Sequence, residues 1–416
     1  MFEFGRDLRR LFEKARDSED LGWLELIGVS LLETEARQQS VEAGRVSCAH
    51  PFDMSIRASL LWREHARRSG SASSLAKAEA EARAATRHAH NDEQSQRAVI
   101  ELAQAGLLAF DLSGGPERLA AAQALVAALP TPRRQASILA CEAFRGRLEA
   151  RQAILDGTPQ ALVEACDGLE RIVQSLRGQQ GLAETELRLE QASLSLETGL
   201  STRDLARLDQ AGRNLRSLVE GSPADQRPVT RARALALCGL GMIALSSIAH
   251  DDAARHQGQT LFDAAADQFT LDHSPLDWAA IQLMRADGES LPLVTLVQVE
   301  ALTEDGGLIL GAEAHERRLA HEIHQADVAG DLSTLSAIES RVKRRLRHPP
   351  VTATPLDWVA DQIGLASIAL ARARWTGEAV KDIGLMLIEA AATARELGAP
   401  SLAERARGLM PHPQPV

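Results

Sequence analysis

The stretch that decides the fold is Ser274-Pro275-Leu276-Asp277-Trp278, which returns 80 residues later as Thr354-Pro355-Leu356-Asp357-Trp358. A serine or threonine followed by proline is typical of a helix start. Its side-chain oxygen can cap exposed backbone N–H groups, and proline fits the first helical position. The aspartate three positions after the cap predicts a capping box, and the tryptophan is expected to dock on a neighbouring helix. This repeated helix start, here called the stamp, predicts a chain of repeated helical units.

The rest of the chain supports helical units of similar size. Alanine, leucine, arginine, glutamate and glutamine dominate, and these residues favour helices. Glycine and proline recur between amphipathic segments, so that helix pairs are predicted to begin near residues 52, 92, 131, 183, 227, 275, 306 and 355. Only Leu291–Val299 could be either a short strand or a helix. The fold class is therefore predicted to be all-α, with eight helix pairs.

The stamp resembles a bacterial tetratricopeptide-like repeat whose first helix opens Pro-Leu-Asp-Trp-Ala and continues through glutamine to a Leu-Gly step. The second copy follows this pattern through Gln362 and Leu365, with Ala366 in place of glycine. The first copy departs after Gln282, which predicts a shortened or bent unit over residues 275–303. The resemblance implies a right-handed α-solenoid of antiparallel helix pairs, in which the first helices line a concave groove.

The predicted organisation has three parts. Residues 1–45 form an N-terminal helical capping segment that folds back, and residues 46–400 form the tetratricopeptide-like array. Residues 401–416 form a C-terminal capping helix and a disordered tail. The array needs stacking throughout, because a single helix pair cannot bury its apolar face alone.

Composition excludes several classes of protein. The net charge of −11, with 57 acidic against 46 basic residues, disfavours nucleic-acid binding. Four widely spaced cysteines form no zinc pattern and fit a reducing, cytoplasmic location. No signal peptide, membrane span or phosphate-binding motif is recognised, and no cofactor is predicted. The chain is therefore predicted to be non-enzymatic.

Candidate site residues fall into two groups. Polar residues on first helices are expected to bind a partner peptide or helix in the groove. They are Arg231, Arg233, Gln282, Arg285, Asp361 and Gln362. The two glutamines could instead bond neighbouring helices. A second group, His321, His324 and Asp327, lies on one predicted helix face; it is a weak metal candidate and more typical of a solvated polar stripe.

Two functions remain open from the sequence. The first is a protein-interaction scaffold or adaptor that binds a partner segment in the groove. The alternative is a regulatory sensor whose array binds a small ligand or a signalling nucleotide. The oligomeric state and the identity of the partner stay open.

Overall fold

The computed structural model describes residues 21–176, 182–285, 292–377 and 383–410. Throughout these ranges the regular structure is helical and no residue lies in a strand, which confirms the all-α prediction. The predictions for residues 1–20 and for the tail at 411–416 lie outside the described residues.

The described residues form one 3₁₀ helix, Leu21–Leu26, and eighteen α-helices. The α-helices are α1 (Val29–Ala43), α2 (Pro51–Ser69), α3 (Ala72–His88), α4 (Asp92–Ser113), α5 (Pro116–Ala127), α6 (Gln135–Asp156), α7 (Pro159–Ser175), α8 (Leu182–Thr202), α9 (Leu205–Gly221), α10 (Pro228–Ala249), α11 (Asp252–Ala266), α12 (Pro275–Arg285), α13 (Leu293–Thr303), α14 (Leu308–Val328), α15 (Leu332–Arg347), α16 (Pro355–Thr376), α17 (Ile383–Glu396) and α18 (Pro400–Gly408).

The helix starts follow the turn signals in the sequence. The even-numbered helices from α2 to α16 begin within about four residues of the eight predicted pair starts, since glycine, proline and capping side chains act locally. The ambiguous apolar segment is helical, as α13. Helices that are adjacent in sequence pack against each other, for example α6 with α7, α8 with α9 and α10 with α11.

The contacts divide the chain into two compact units. The first comprises Met1–Ser69, Ser73–Leu107 and Leu119–Gly288. The second comprises Gly70–Ala72, Leu108–Arg118 and Glu289–Val416. The three-part division at residues 45 and 400 stays a prediction.

In the first unit, the N-terminal segment folds back onto helices that lie far along the chain. The backbone N–H of Val29 donates to the carbonyl of Asp272 at 3.0 Å. A Cβ on Gly28 would lie 2.7 Å from that carbonyl oxygen, so this approach requires glycine. The buried Glu25 carboxylate accepts from the backbone N–H and hydroxyl of Thr230 at 2.8 and 2.6 Å. Helix α2 also contacts α12, so the beginning and the end of the first unit meet.

The second unit has its core among α14, α16, α17 and α18. Apolar residues spaced three or four apart on these helices are buried together, among them Leu356, Ile363, Leu387 and Leu402. Trp358 packs against the same cluster. The tryptophan of the second stamp therefore anchors α16, as the sequence predicts.

Helix α10 is the segment of the chain that bears on the expectation of no membrane span. Among the described residues it alone is long and apolar enough to cross a membrane. In the sequence, Gly239, Gly241 and Ser246 interrupt its apolar run without making the helix polar. Leucine and isoleucine side chains of α10 pack into cores shared with α9 and α11, which a helix inside a protein also does.

Candidate functional site

The main candidate site is a cavity of about 460 Å³ in the first unit. It is lined by the 3₁₀ helix and by α2, α4, α6 and α8, which are the first helices of four successive pairs. Much of its wall is apolar, with Leu24, Leu60, Ile100, Phe144 and Leu187. We call it the first-unit cavity.

The sequences of α2 and α6 explain why the space between them stays open. On α2, Ile56, Leu60 and Arg63 follow one another at helical spacing, so they share a face. On α6 the corresponding face carries the small residues Ala136 and Ala140, both exposed. Alanine fills little volume, so the facing helices leave space between them.

Ion pairs between helices line the polar side of the cavity. The Arg63 Nε of α2 donates to Glu101 of α4 at 2.9 Å. Arg147 of α6 donates through two nitrogens to Glu190 of α8, at distances from 2.8 to 3.0 Å. Guanidinium groups suit such pairs because their planar fork matches a carboxylate. The charges therefore fix the spacing of the lining helices.

Neighbouring arginines hold two carboxylates at the cavity, Glu190 and Glu64, ionised. Burial alone would raise the pKa of Glu190, but the attraction and hydrogen bonds of Arg147 and Arg151 outweigh it and lower this pKa to about 2. Burial would likewise raise the pKa of Glu64, and the nearby arginines, Arg67 first, lower it to about 2. Both carboxylates stay charged at neutral pH.

The predicted groove residues of the first unit are mostly engaged within the protein. Arg233 donates to both carboxylate oxygens of Asp277 in the first stamp, at 2.9 and 2.7 Å. Arg231 donates to the carbonyl of Val219 at 2.5 Å. Arg285 pairs with Asp263 at 2.7 Å. None of these residues lines the first-unit cavity.

The remaining groove candidates differ in exposure. Gln282 is buried, whereas Gln362 is half-buried. Asp361 is buried in the second unit, where His315 Nε2 donates to it at 2.8 Å and Arg345 Nε lies 3.4 Å away. Asp361 is thus enclosed by protein charges.

The two stamps start their helices in related ways. Thr354 accepts from the backbone N–H of Asp357, and Asp357 accepts from that of Thr354 at 2.7 Å, which confirms the capping box. In the first copy the Ser274 hydroxyl donates to the Asp277 carboxylate. Both aspartates also bind an arginine from an earlier helix, Arg233 in the first copy and Arg345 at 2.5 Å in the second.

A second cleft, of about 620 Å³, lies in the second unit. Its lining includes His315, Arg345 and Asp357, which belong to one hydrogen-bonded cluster with Asp361. Arg318 joins this cluster at the His315 Nδ1, at 3.1 Å. The polar cluster therefore contains His315, whereas the sequence pattern pointed to His321 and His324.

The weak metal candidates have other environments. Asp327 accepts from Trp375 Nε1 at 2.9 Å and pairs with Arg374. His324 is exposed, and His321 is half-buried. Within the described ranges no group of three or more His, Cys, Asp or Glu side chains is arranged to hold a metal ion.

Sequence reasoning missed the charged residues of the first-unit cavity. The sequence pattern that could have revealed them is a charged residue on the apolar face of a helix. Arg63 is such a residue, because it follows Ile56 and Leu60 at helical spacing. A charge at a core-facing position indicates a partner on a neighbouring element. The identity of that partner could not be read, because Glu101 lies 38 residues further along the chain.

The comparisons with known proteins add no family evidence to the resemblance carried by the stamp. No protein-family model matches the sequence, and a search of curated proteins finds no match either. The resemblance to tetratricopeptide-like repeats therefore rests on the stamp residues themselves. Function is inferred from the fold and the cavity.

Proposed function

We propose that this protein is a non-enzymatic, cytoplasmic interaction scaffold or adaptor, and that the first-unit cavity receives a segment of a partner protein. The observation that carries the proposal is the lining of that cavity by the first helices of four successive pairs. A partner segment lying there would contact α2, α4, α6 and α8 at once. Arrays of helix pairs present extended surfaces of this kind.

The resemblance supports the same proposal. In the proposed architecture the eight pairs are antiparallel and form a right-handed, tetratricopeptide-like solenoid of bacterial type. The helix starts at the predicted positions and the two stamps support it. The binding surface, however, is proposed on the cavity residues, because Arg233 and Asp361 are engaged by charges of the protein itself.

The proposal is tested by placing a photocrosslinking amino acid at Ala140 in living cells. Ala140 is exposed on α6 and lines the cavity. A crosslinker there can reach a segment bound in the cavity, and its introduction removes no core side chain. Ala124 of α5 is the matched control, since it is an exposed helical alanine of the same unit outside the cavity. We expect the Ala140 position to capture a defined protein, identified by mass spectrometry, that the Ala124 position does not.

A binding measurement with the purified partner completes this test. Ala140→Trp should fill the cavity and weaken binding strongly, whereas Ala124→Trp should leave it unchanged. Circular dichroism would verify that both variants fold. Equal binding by both variants would place the partner elsewhere and overturn the proposal.

The sensor function is the second candidate, and the cavity volume favours it. A volume of about 460 Å³ falls within the range of roughly 300 to 1,000 Å³ that holds small ligands. A ligand that binds the folded state raises the melting temperature. Under this alternative, a metabolite or signalling nucleotide should raise the melting temperature of the wild type but not of Ala140→Trp.

A further inference from the structure

The chemistry of the cavity ligand follows from how the cavity charges are arranged. The charged residues that line the cavity pair with other side chains of the protein. Arg63 pairs with Glu101, Arg147 with Glu190, and Glu64 with Arg67 at 2.7 Å. The pairs at the rim are Glu93 with Arg134 and Arg97 with Asp53.

The last charged lining residue belongs to the same set. Glu186 of α8 lies 3.3 Å from Arg67 of α2, so Arg67 pairs with two carboxylates, Glu64 and Glu186. A charged ligand that reaches past the exposed rim pairs would have to compete with one of the inner partners and would leave a buried or half-buried charge unpaired. Such an exchange opposes binding, because an unpaired charge loses its hydration without compensation.

The polar groups left for a ligand are uncharged. The Gln104 carboxamide and the Ser137 hydroxyl line the cavity, and neither has a hydrogen bond to another described residue. The Gln96 amide nitrogen donates to the carbonyl of Pro130 at 3.0 Å, and its amide oxygen accepts no hydrogen bond from another described residue. Beside the apolar wall, these groups offer hydrogen bonds without charge.

We infer that the first-unit cavity selects an uncharged apolar segment of a partner, which fills the space between α2, α4 and α6 and bonds to Gln104 and Ser137. This inference rests on the proposed function and specifies the chemistry of the partner. In it, Glu101 is a specificity-determining residue, because it neutralises Arg63 beside the apolar wall. Removing the Glu101 charge would convert the same cavity into a site for an anion.

The test uses three probes that share a ten-carbon chain and differ in head group: decanol, decanoate and decylammonium. Their affinities for the purified full-length protein are measured by calorimetry. We expect decanol to bind at least about ten-fold more tightly than either charged probe, because the cavity charges are already paired. Ala140→Trp should abolish decanol binding, and Ala124→Trp should preserve it.

A second test uses Glu101→Gln, a variant that is expected to gain affinity for an anion. Glu101→Gln leaves Arg63 without its carboxylate, so decanoate should bind this variant at least about ten-fold more tightly than the wild type. Decylammonium should gain nothing. If Glu101→Gln fails to fold, Glu190→Gln tests the same point by freeing Arg147.

The outcomes separate this inference from the proposed function. Equal or tighter binding of a charged probe by the wild type, or no gain for decanoate in either variant, would overturn the inference. Failure to bind decanol would overturn it as well. A partner captured at Ala140 whose docking segment is charged would contradict the inference while supporting the scaffold. Selective decanol binding without a captured partner would contradict the scaffold alone.

Discussion

At the residue scale, the aspartate of the stamp serves two purposes. Asp357 caps the start of α16 and binds Arg345 of α15, and Asp277 binds Arg233 of α10 beside the start of α12. Burial alone would raise the pKa of Asp277, but the attraction and hydrogen bonds of Arg233 outweigh it, so this pKa lies below its ordinary value. One residue type therefore starts a helix and ties it to an earlier one.

Substitution of Asp357 should separate the two contributions. Asp357→Ala removes the Asp357 half of the capping box and the charge that binds Arg345, so we expect a loss of about 2 to 3 kcal/mol in the free energy of unfolding. Asp251→Ala is the control, because Asp251 caps α11 through the N–H groups of Ala253 and Ala254 and pairs with no arginine among the described residues. It should lose about 1 kcal/mol. Urea unfolding measures both, and equal losses would show that the Arg345 contact contributes nothing to stability.

At the element scale, small residues set how closely helices approach. A Cβ on Gly239 of α10 would lie 2.7 Å from the Phe262 ring and 3.0 Å from the carbonyl of Gly258 on α11. These two helices therefore pack with backbone close to backbone. Gly239, which interrupts the apolar run of α10 in the sequence, is therefore part of the packing surface for α11.

A pair of glycine substitutions tests this contact. Gly239→Ala should lower the free energy of unfolding by about 1 to 3 kcal/mol, because the added methyl group displaces Phe262. Gly212→Ala on α9 has open space around its Cβ position and should raise stability by about 0.5 to 1 kcal/mol through helix propensity. Thermal and urea unfolding give both values. A gain in stability for both variants would show that the helices separate without cost.

At the scale of the molecule, the first unit closes through a few polar contacts. His273 Nε2 donates to the carbonyl of Glu25 at 2.9 Å, while its Nδ1 is buried with no partner among the described residues. Burial lowers the pKa of His273, and the charge of Arg68 lowers it further, against the opposing effects of Glu25 and Asp277. The neutral imidazole is thus the form that fits the closed unit.

This closure should weaken in mild acid. Because the folded-state pKa of His273 lies below its unfolded value, the unfolded state binds the proton more readily and stability falls as pH drops below about 6.5. Amides at the start of α10 should then exchange faster at roughly pH 5 than at pH 7, after correction for intrinsic rates.

A glutamine variant tests whether His273 causes this pH dependence. His273→Gln keeps an N–H donor for the Glu25 carbonyl but cannot titrate, so its exchange should change less between the two pH values. His256→Gln, at an exposed position of α11, should behave like the wild type. An unchanged pH response in His273→Gln would assign the effect to another group.

The sequence by itself determined the helical class, the eight pair starts and the capping box of the second stamp. Caps, prolines and apolar periodicity act over a few residues, so they can be read without knowing the fold. Only the tertiary structure decided which polar groups meet. Arg63 bonds to Glu101, which lies 38 residues further along the chain. Glu25 bonds to Thr230, which lies 205 residues further along. The cavity and the closure of the first unit depend on such distant pairs, since a charge shows that a partner is needed but not where the chain brings one.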